Sequence, residues 1–128
     1  MRKNTKCIWI TGASSGIGAA LAYHLSNLGH QLVLSSRNTE ALQAVRSGCQ
    51  DPGAVTVVPM DLEDAASMPK VAASAIAAFG KIDILVNNAG LSQRSLIADT
   101  TQAVYERLIR VNYLGTVALT RALLPHFT

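Results

Sequence analysis

Four short apolar runs recur along the chain, at residues 7–10, 31–35, 55–59 and 82–86, and the stretches between them carry helical spacing instead. None of the four keeps a strict apolar–polar alternation, so each reads as a strand buried on both faces. Ile17, Leu21, Leu25 and Leu28 fall on one helical face before Gly29, and a second helix is expected over 39–48. Met68, Val71, Ala75 and Phe79 mark a third helix before Gly80, with Pro69 acceptable only in its first turn. Buried strands alternating with helices predict an α/β fold, a doubly wound parallel sheet with strand order 3-2-1-4.

A longer helix is expected over 101–124, capped by Asp99 or Thr100. It is apolar on two sides. Val104, Leu108, Val111, Gly115, Ala118 and Ala122 make one face, and Ile109, Tyr113, Val117 and Leu124 make another. One face can serve the sheet; the other needs a partner, expected to be a second copy, giving a homo-oligomer through the 101–124 helix.

At 128 residues, 49% hydrophobic and 15% charged, the chain has the composition of one soluble globular domain or part of one. No apolar stretch reaches the roughly 18 to 20 residues that span a bilayer, so no membrane segment is expected. Cys7 and Cys49 show neither metal-ligand spacing nor a disulfide framework, which fits a reducing, cytoplasmic location and no metal site. The net charge of +3 comes from dispersed residues: Arg2, Lys3 and Lys6, then Arg37, Arg94, Arg107, Arg110 and Arg121. Without a dense basic stripe and interleaved aromatics, no nucleic-acid partner is expected.

Between the first strand and its helix stands "TGASSGIG", residues 11–18. Gly12, Gly16 and Gly18 let such a turn bend tightly and let a phosphate approach the backbone, while the following helix offers free N–H groups and a positive dipole end. Thr11, Ser14 and Ser15 add hydroxyl donors around an anion. In the first strand-to-helix turn of an alternating pattern, this spacing predicts a dinucleotide site.

Two more features support that reading. An acid at the end of the second strand would bind the 2′-hydroxyl of NAD, but this chain has Ser35-Ser36-Arg37-Asn38 there. The guanidinium of Arg37 suits a 2′-phosphate, so NADP(H) is expected over NAD(H); the alternative is that Arg37 is only an exposed helix-entry residue. "MDL" at 60–62 and "NNAG" at 87–90 follow the third and fourth strands, the edge where open α/β sheets bind ligands. Asp61 can accept from an adenine amino group, and Ala89 and Gly90 let backbone approach a ribose; Asp61 as a helix-entry cap and the two asparagines as loop bridges are the alternatives.

With "TGASSGIG", "NNAG" and Asn112 together, the chain resembles the short-chain dehydrogenase/reductase superfamily over nearly its whole length, and "DILVNNAGLSQRSL" with "NYLGTVALT" looks most like its dehydrogenase/reductase member 7 branch. The resemblance implies a Rossmann fold and hydride transfer between NADP(H) and a small-molecule carbonyl or alcohol substrate. It implies a cofactor-binding set of Thr11, Gly12, Ser14, Ser15, Gly16, Ile17, Gly18, Arg37, Asp61, Leu62, Asn87, Asn88, Ala89, Gly90 and Val111. Asn112 matches the family asparagine that holds a water in the proton relay.

The chain also departs from the family pattern. None of Tyr23, Tyr105 and Tyr113 begins a Tyr-x-x-x-Lys, and the family's serine on the fifth strand has no counterpart. His24, His30 and His126 read as surface or helix-end residues and offer no substitute. The expectation is therefore an N-terminal, cofactor-binding portion of a longer product. Its rival is a non-catalytic dinucleotide-binding module. Leu91, Ser92, Gln93, Arg94 and Ser95 are expected to touch one wall of the cleft without revealing the substrate.

Overall fold

The computed structural model describes residues 5–90 and 101–127. Strands β1 (Cys7–Thr11), β2 (Gln31–Ser35), β3 (Val55–Val57) and β4 (Ile84–Val86) form one parallel sheet in the order β3-β2-β1-β4, as the alternation predicts. Helices α1 (Gly16–Asn27), α2 (Thr39–Gly48) and α3 (Met68–Phe79) connect successive strands. After β4 come α4 (Gln102–Ile109), a π-helical stretch (Arg110–Gly115) and α5 (Thr116–Phe127). The expectations for 91–95, Asp99 and Thr100 lie outside the described residues.

Because successive strand residues point to opposite faces, β1 divides its side chains between two cores. Cys7 and Trp9 pack with Val33, Met68, Val111, Leu119 and Leu123 on the side of α3 and α5. Ile8 and Ile10 pack with Leu32, Leu34, Leu42 and Val45 on the side of α1 and α2. Trp9 is fully buried, and its indole N–H donates to Ser35 Oγ at 2.8 Å, so the ring enters the core with its polar atom satisfied.

Three details differ from the sequence expectations. In α1 the buried residues are Gly18, Ala19, Ala22 and Ser26, with Leu21 and Leu25 only flanking the core; Ile17 is 79% exposed and Leu28 is exposed too. Small residues at the contact bring the helix axis close to the sheet, so the larger ones are displaced to the sides. β3 stops at Val57, although Val58 N–H and Met60 N–H still donate to Leu34 and Ser36 carbonyls at 2.9 and 3.0 Å. β4 starts two residues later than expected because Asp83 takes over its first rung: its amide donates to the Cys7 carbonyl and its Oδ2 accepts from the Cys7 amide, both at 2.8 Å.

The long C-terminal helix is interrupted. Thr101 caps it, its Oγ1 accepting from Val104 N–H at 3.3 Å, in place of the expected Asp99 or Thr100. The wider π turn shifts the phase of the helix, so the buried positions become Val111, Gly115, Leu119 and Leu123, four residues apart. Ala118 and Ala122, expected on that face, are only partly buried.

Burial, helped by the neighbouring Asp83 carboxylate, pushes the Cys7 thiol up to about 11, and burial raises Cys49 as well. Since the thiolate is the nucleophile, native protein at pH 8 is expected to leave both thiols unmodified by iodoacetamide. Both should react in denaturant. Mass-spectrometric detection of rapid native labelling at either position would contradict the packing described.

Candidate functional site

The carboxyl ends of all four strands open on one cavity of about 380 Å³. The β1–α1 turn supplies Gly12, Ser14 and Ser15; the loop after β2 supplies Ser36, Arg37 and Asn38. Met60, Asp61 and Leu62 follow β3, Asn88, Ala89 and Gly90 follow β4, and Val111 comes from the π turn.

The turn's geometry depends on two glycines. Gly12 has φ of 63°, and a Cβ there would stand 2.9 Å from Ala89 Cα. On Gly18 a Cβ would run into the Gly12 carbonyl oxygen, so α1 can lie against the turn only without a side chain at that position. Ser15 forms the N-cap of α1 in an extended conformation and makes no side-chain cap bond. By contrast, Asn38 Oδ1 accepts from Ala41 N–H at 3.0 Å at the start of α2. Ser15, which lines the cavity just before α1, therefore leaves the N–H groups of the first turn without a bond from its own side chain.

Thr11 is placed differently from its expected role as an anion donor. It is 1% exposed, beneath the cavity, where its hydroxyl donates to the Val86 carbonyl at 3.3 Å and accepts from Asn88 N–H and Ala89 N–H, both at 3.0 Å. Thr11 thus fixes the "NNAG" loop against β1. Asn88 adds a second tie, its Nδ2 donating to the Gly12 carbonyl at 3.2 Å. Asn87 turns to the helix instead, with Nδ2 donating to Thr120 Oγ1 at 3.3 Å. The Asn88 bond matches the loop-bridging alternative for the asparagines; the Asn87 bond ties its loop to a helix.

Gly16, Ile17 and Gly18 shape the turn and the helix start without lining the cavity. Asn112 lies at the Gly90 end, where a Cβ on Gly90 would stand 3.1 Å from Asn112 Oδ1. Arg37 is exposed at the opposite end and borders an adjoining open groove shared with Met60, Asp61 and Asp64. Among the described residues, no carboxylate comes within ion-pair distance of it. Asp61 lines both spaces, and its Oδ1 accepts from Glu63 N–H at 2.9 Å, so the carboxylate also organises its own loop.

Ser36, Asn38 and Met60 line the cavity but were absent from the expected set. Their only sequence signal is adjacency to a strand's end. Glu63 is a further residue with no such signal: Arg107 and Arg110 both reach it from the long helix, and their guanidinium hydrogen bonds, Arg110's foremost, hold its carboxyl below the usual range.

The chain matches the family model described as short chain dehydrogenase over residues 6–128. It is 51% identical over 124 residues to human dehydrogenase/reductase SDR family member 7, a match that takes in 93% of this chain and 37% of that protein. Among solved structures, it is similar to 3-ketoacyl-(acyl-carrier-protein) reductase from Brucella melitensis complexed with NADH, with a TM-score of 0.88 and 32% identity over 95% of this chain and 50% of that one. A metagenomic short-chain oxidoreductase in complex with NADP gives a TM-score of 0.85 and 34% identity, covering 95% of this chain and 56% of the other. A glycine turn packed this closely on its helix, at the carboxyl edge of a 3-2-1-4 sheet, accords with that likeness, and the chain belongs to the short-chain dehydrogenase family.

Proposed function

We propose that residues 1–128 are the NADP(H)-binding Rossmann portion of an oxidoreductase that acts on a carbonyl or alcohol group of a small molecule. The observation that carries this reading is a cavity lined both by Ser15, the helix N-cap whose side chain makes no cap bond, and by Arg37, which stands at the end of β2 in place of an acid and pairs with no described carboxylate. Backbone N–H groups of the α1 turn, with the Ser14 and Ser15 hydroxyls, would hold the pyrophosphate. Arg37 would take the 2′-phosphate, Asp61 and Leu62 would flank the adenine, and Asn88 to Gly90 with Val111 would border the adenosine ribose. Absence of a Cβ at Gly12 lets the turn close on Ala89, and its absence at Gly90 lets that loop approach Asn112, which brings both loops to the cavity.

When bound, the nicotinamide supplies or accepts a hydride. The chain's own contribution to the chemistry is Asn112, which by family likeness would hold a water in the proton relay. A purified protein is expected to bind NADPH about ten- to hundredfold more tightly than NADH, because a charge-assisted hydrogen bond is worth about 1.5–3 kcal/mol. Equal dissociation constants by calorimetry would leave Arg37 as a surface residue only.

The same reading includes self-association in a cytoplasmic setting. Ile109, Tyr113, Val117 and Leu124 stay exposed along the long helix, Tyr113 at 58%, and this stripe would pair with a second copy. Tyr113→Glu combined with Val117→Glu is expected to lower the sedimenting mass to that of a monomer. An unchanged mass would exclude this helix as the contact.

A further inference from the structure

We infer that Glu63 is a positioning residue for the adenosine end of the dinucleotide: clasped by Arg107 and Arg110, it holds the cavity wall formed by Met60, Asp61 and Leu62 against the helix that carries Val111. The inference rests on the dinucleotide reading above and deepens it.

Both oxygens of the Glu63 carboxylate are engaged. Oε2 lies 3.3 Å from Arg107 Nε and Oε1 lies 3.0 Å from Arg110 Nη2, and the two arginines stand three residues apart on one side of the helix. Glu63 is thus joined to groups 44 and 47 residues away in sequence. The two residues before it depend on the same anchorage. Leu62 is buried, and its carbonyl lies so close to Gly115 that a Cβ on Gly115 would collide with it. Asp61 Oδ1 accepts from the Glu63 amide at 2.9 Å, so the direction of the Asp61 carboxylate follows the placement of Glu63.

The wall has no regular secondary structure of its own between β3 and the short turn Ala65–Ser67. At its start it is tied by Met60 N–H to the Ser36 carbonyl at 3.0 Å. The Glu63 clasp ties the other end to Arg107 of α4 and to Arg110, which opens the segment that contains Val111 and Asn112.

Exposed ion pairs contribute little to global stability, because two solvated charges gain little and lose side-chain freedom. A wall that is already ordered, however, need not be ordered by the ligand, and this favours binding. The clasp should therefore show in affinity and not in melting temperature.

The test is calorimetric titration of NADPH and of adenosine 2′,5′-bisphosphate, which lacks the nicotinamide half. The proteins are wild type, Glu63→Gln, Arg107→Met with Arg110→Met, and all three changes together. Glu63→Gln is expected to weaken both ligands by the same factor, about three- to tenfold, with the melting temperature unchanged. The arginine pair variant should match it. The triple variant should lose no more, since partners in one network are not additive.

Unchanged or tighter binding by Glu63→Gln overturns the inference, as do losses that multiply in the triple variant or follow a fall in melting temperature. Wild-type protein that binds neither ligand overturns the dinucleotide reading and this inference with it. That result is distinguished from the others before any variant is measured.

Discussion

Replacing Gly18 by valine is expected to abolish dinucleotide binding and to cost about 3 kcal/mol of stability or more, the upper end of what overpacking a close contact costs. The new Cβ would meet the Gly12 carbonyl, with Asn88 Nδ2 at 2.7 Å and Gly12 C at 2.9 Å as its next neighbours. Two of these three atoms are backbone, so the helix must move away from the turn. Gly12 then loses its approach to Ala89, and the start of α1 shifts relative to the cavity-lining Ser14 and Ser15. Gly16→Ala is the control. A Cβ at Gly16 meets nothing within 4 Å, and the change costs only the left-handed conformation at φ of 58°, about 1–2 kcal/mol. Urea midpoints for the two variants, with a binding titration for each, check the difference; equal losses would mean that steric contact at Gly18 is not what shapes the turn.

Arg37→Ala is expected to weaken NADPH about ten- to hundredfold and to leave NADH nearly unchanged, since only the former carries the 2′-phosphate that the guanidinium would bind. The selectivity should then vanish or invert. Because Arg37 is exposed and pairs with no described carboxylate, its removal leaves no buried charge behind, and the folded state should tolerate it. Raising the salt concentration should reduce the wild-type preference for NADPH and leave the variant's ratio of affinities nearly unchanged, as the contact between Arg37 and the 2′-phosphate is the screened interaction that sets the preference. Equal weakening of both dinucleotides would assign Arg37 to the shape of the loop.

Much of the architecture was legible because the strands are simple. Cys7–Thr11 and Gln31–Ser35 are nearly continuous apolar runs, and buried parallel strands look like that for a physical reason: both faces are covered. The α3 helix was readable from its end, where Gly80, at φ of 83°, closes it; the Asn38 cap of α2 emerged only from the structure. The interrupted helix was not. Periodicity assumes a constant 3.6 residues per turn, and one π turn at Arg110–Gly115 moves every later side chain, so Leu119 and Leu123 are buried where Ala118 and Ala122 were expected.

Residue chemistry located the edge of the site better than it assigned individual roles. A threonine in a glycine turn reads as an anion donor, yet the buried Thr11 hydroxyl is used three times within the protein. Buried hydroxyls must find partners, and sequence does not say which. Asn87 and Glu63 show the same limit, since their partners lie 33, 44 and 47 residues away.

The central claim is that a dinucleotide lies on the turn at residues 12–18, and amide hydrogen exchange with and without NADPH tests it most directly. Slowed exchange is expected at the amides from Gly12 to Ala19, with weaker effects at 36–38, 61–63 and 88–90. Protection confined to other segments, or none at saturating NADPH, would contradict the account.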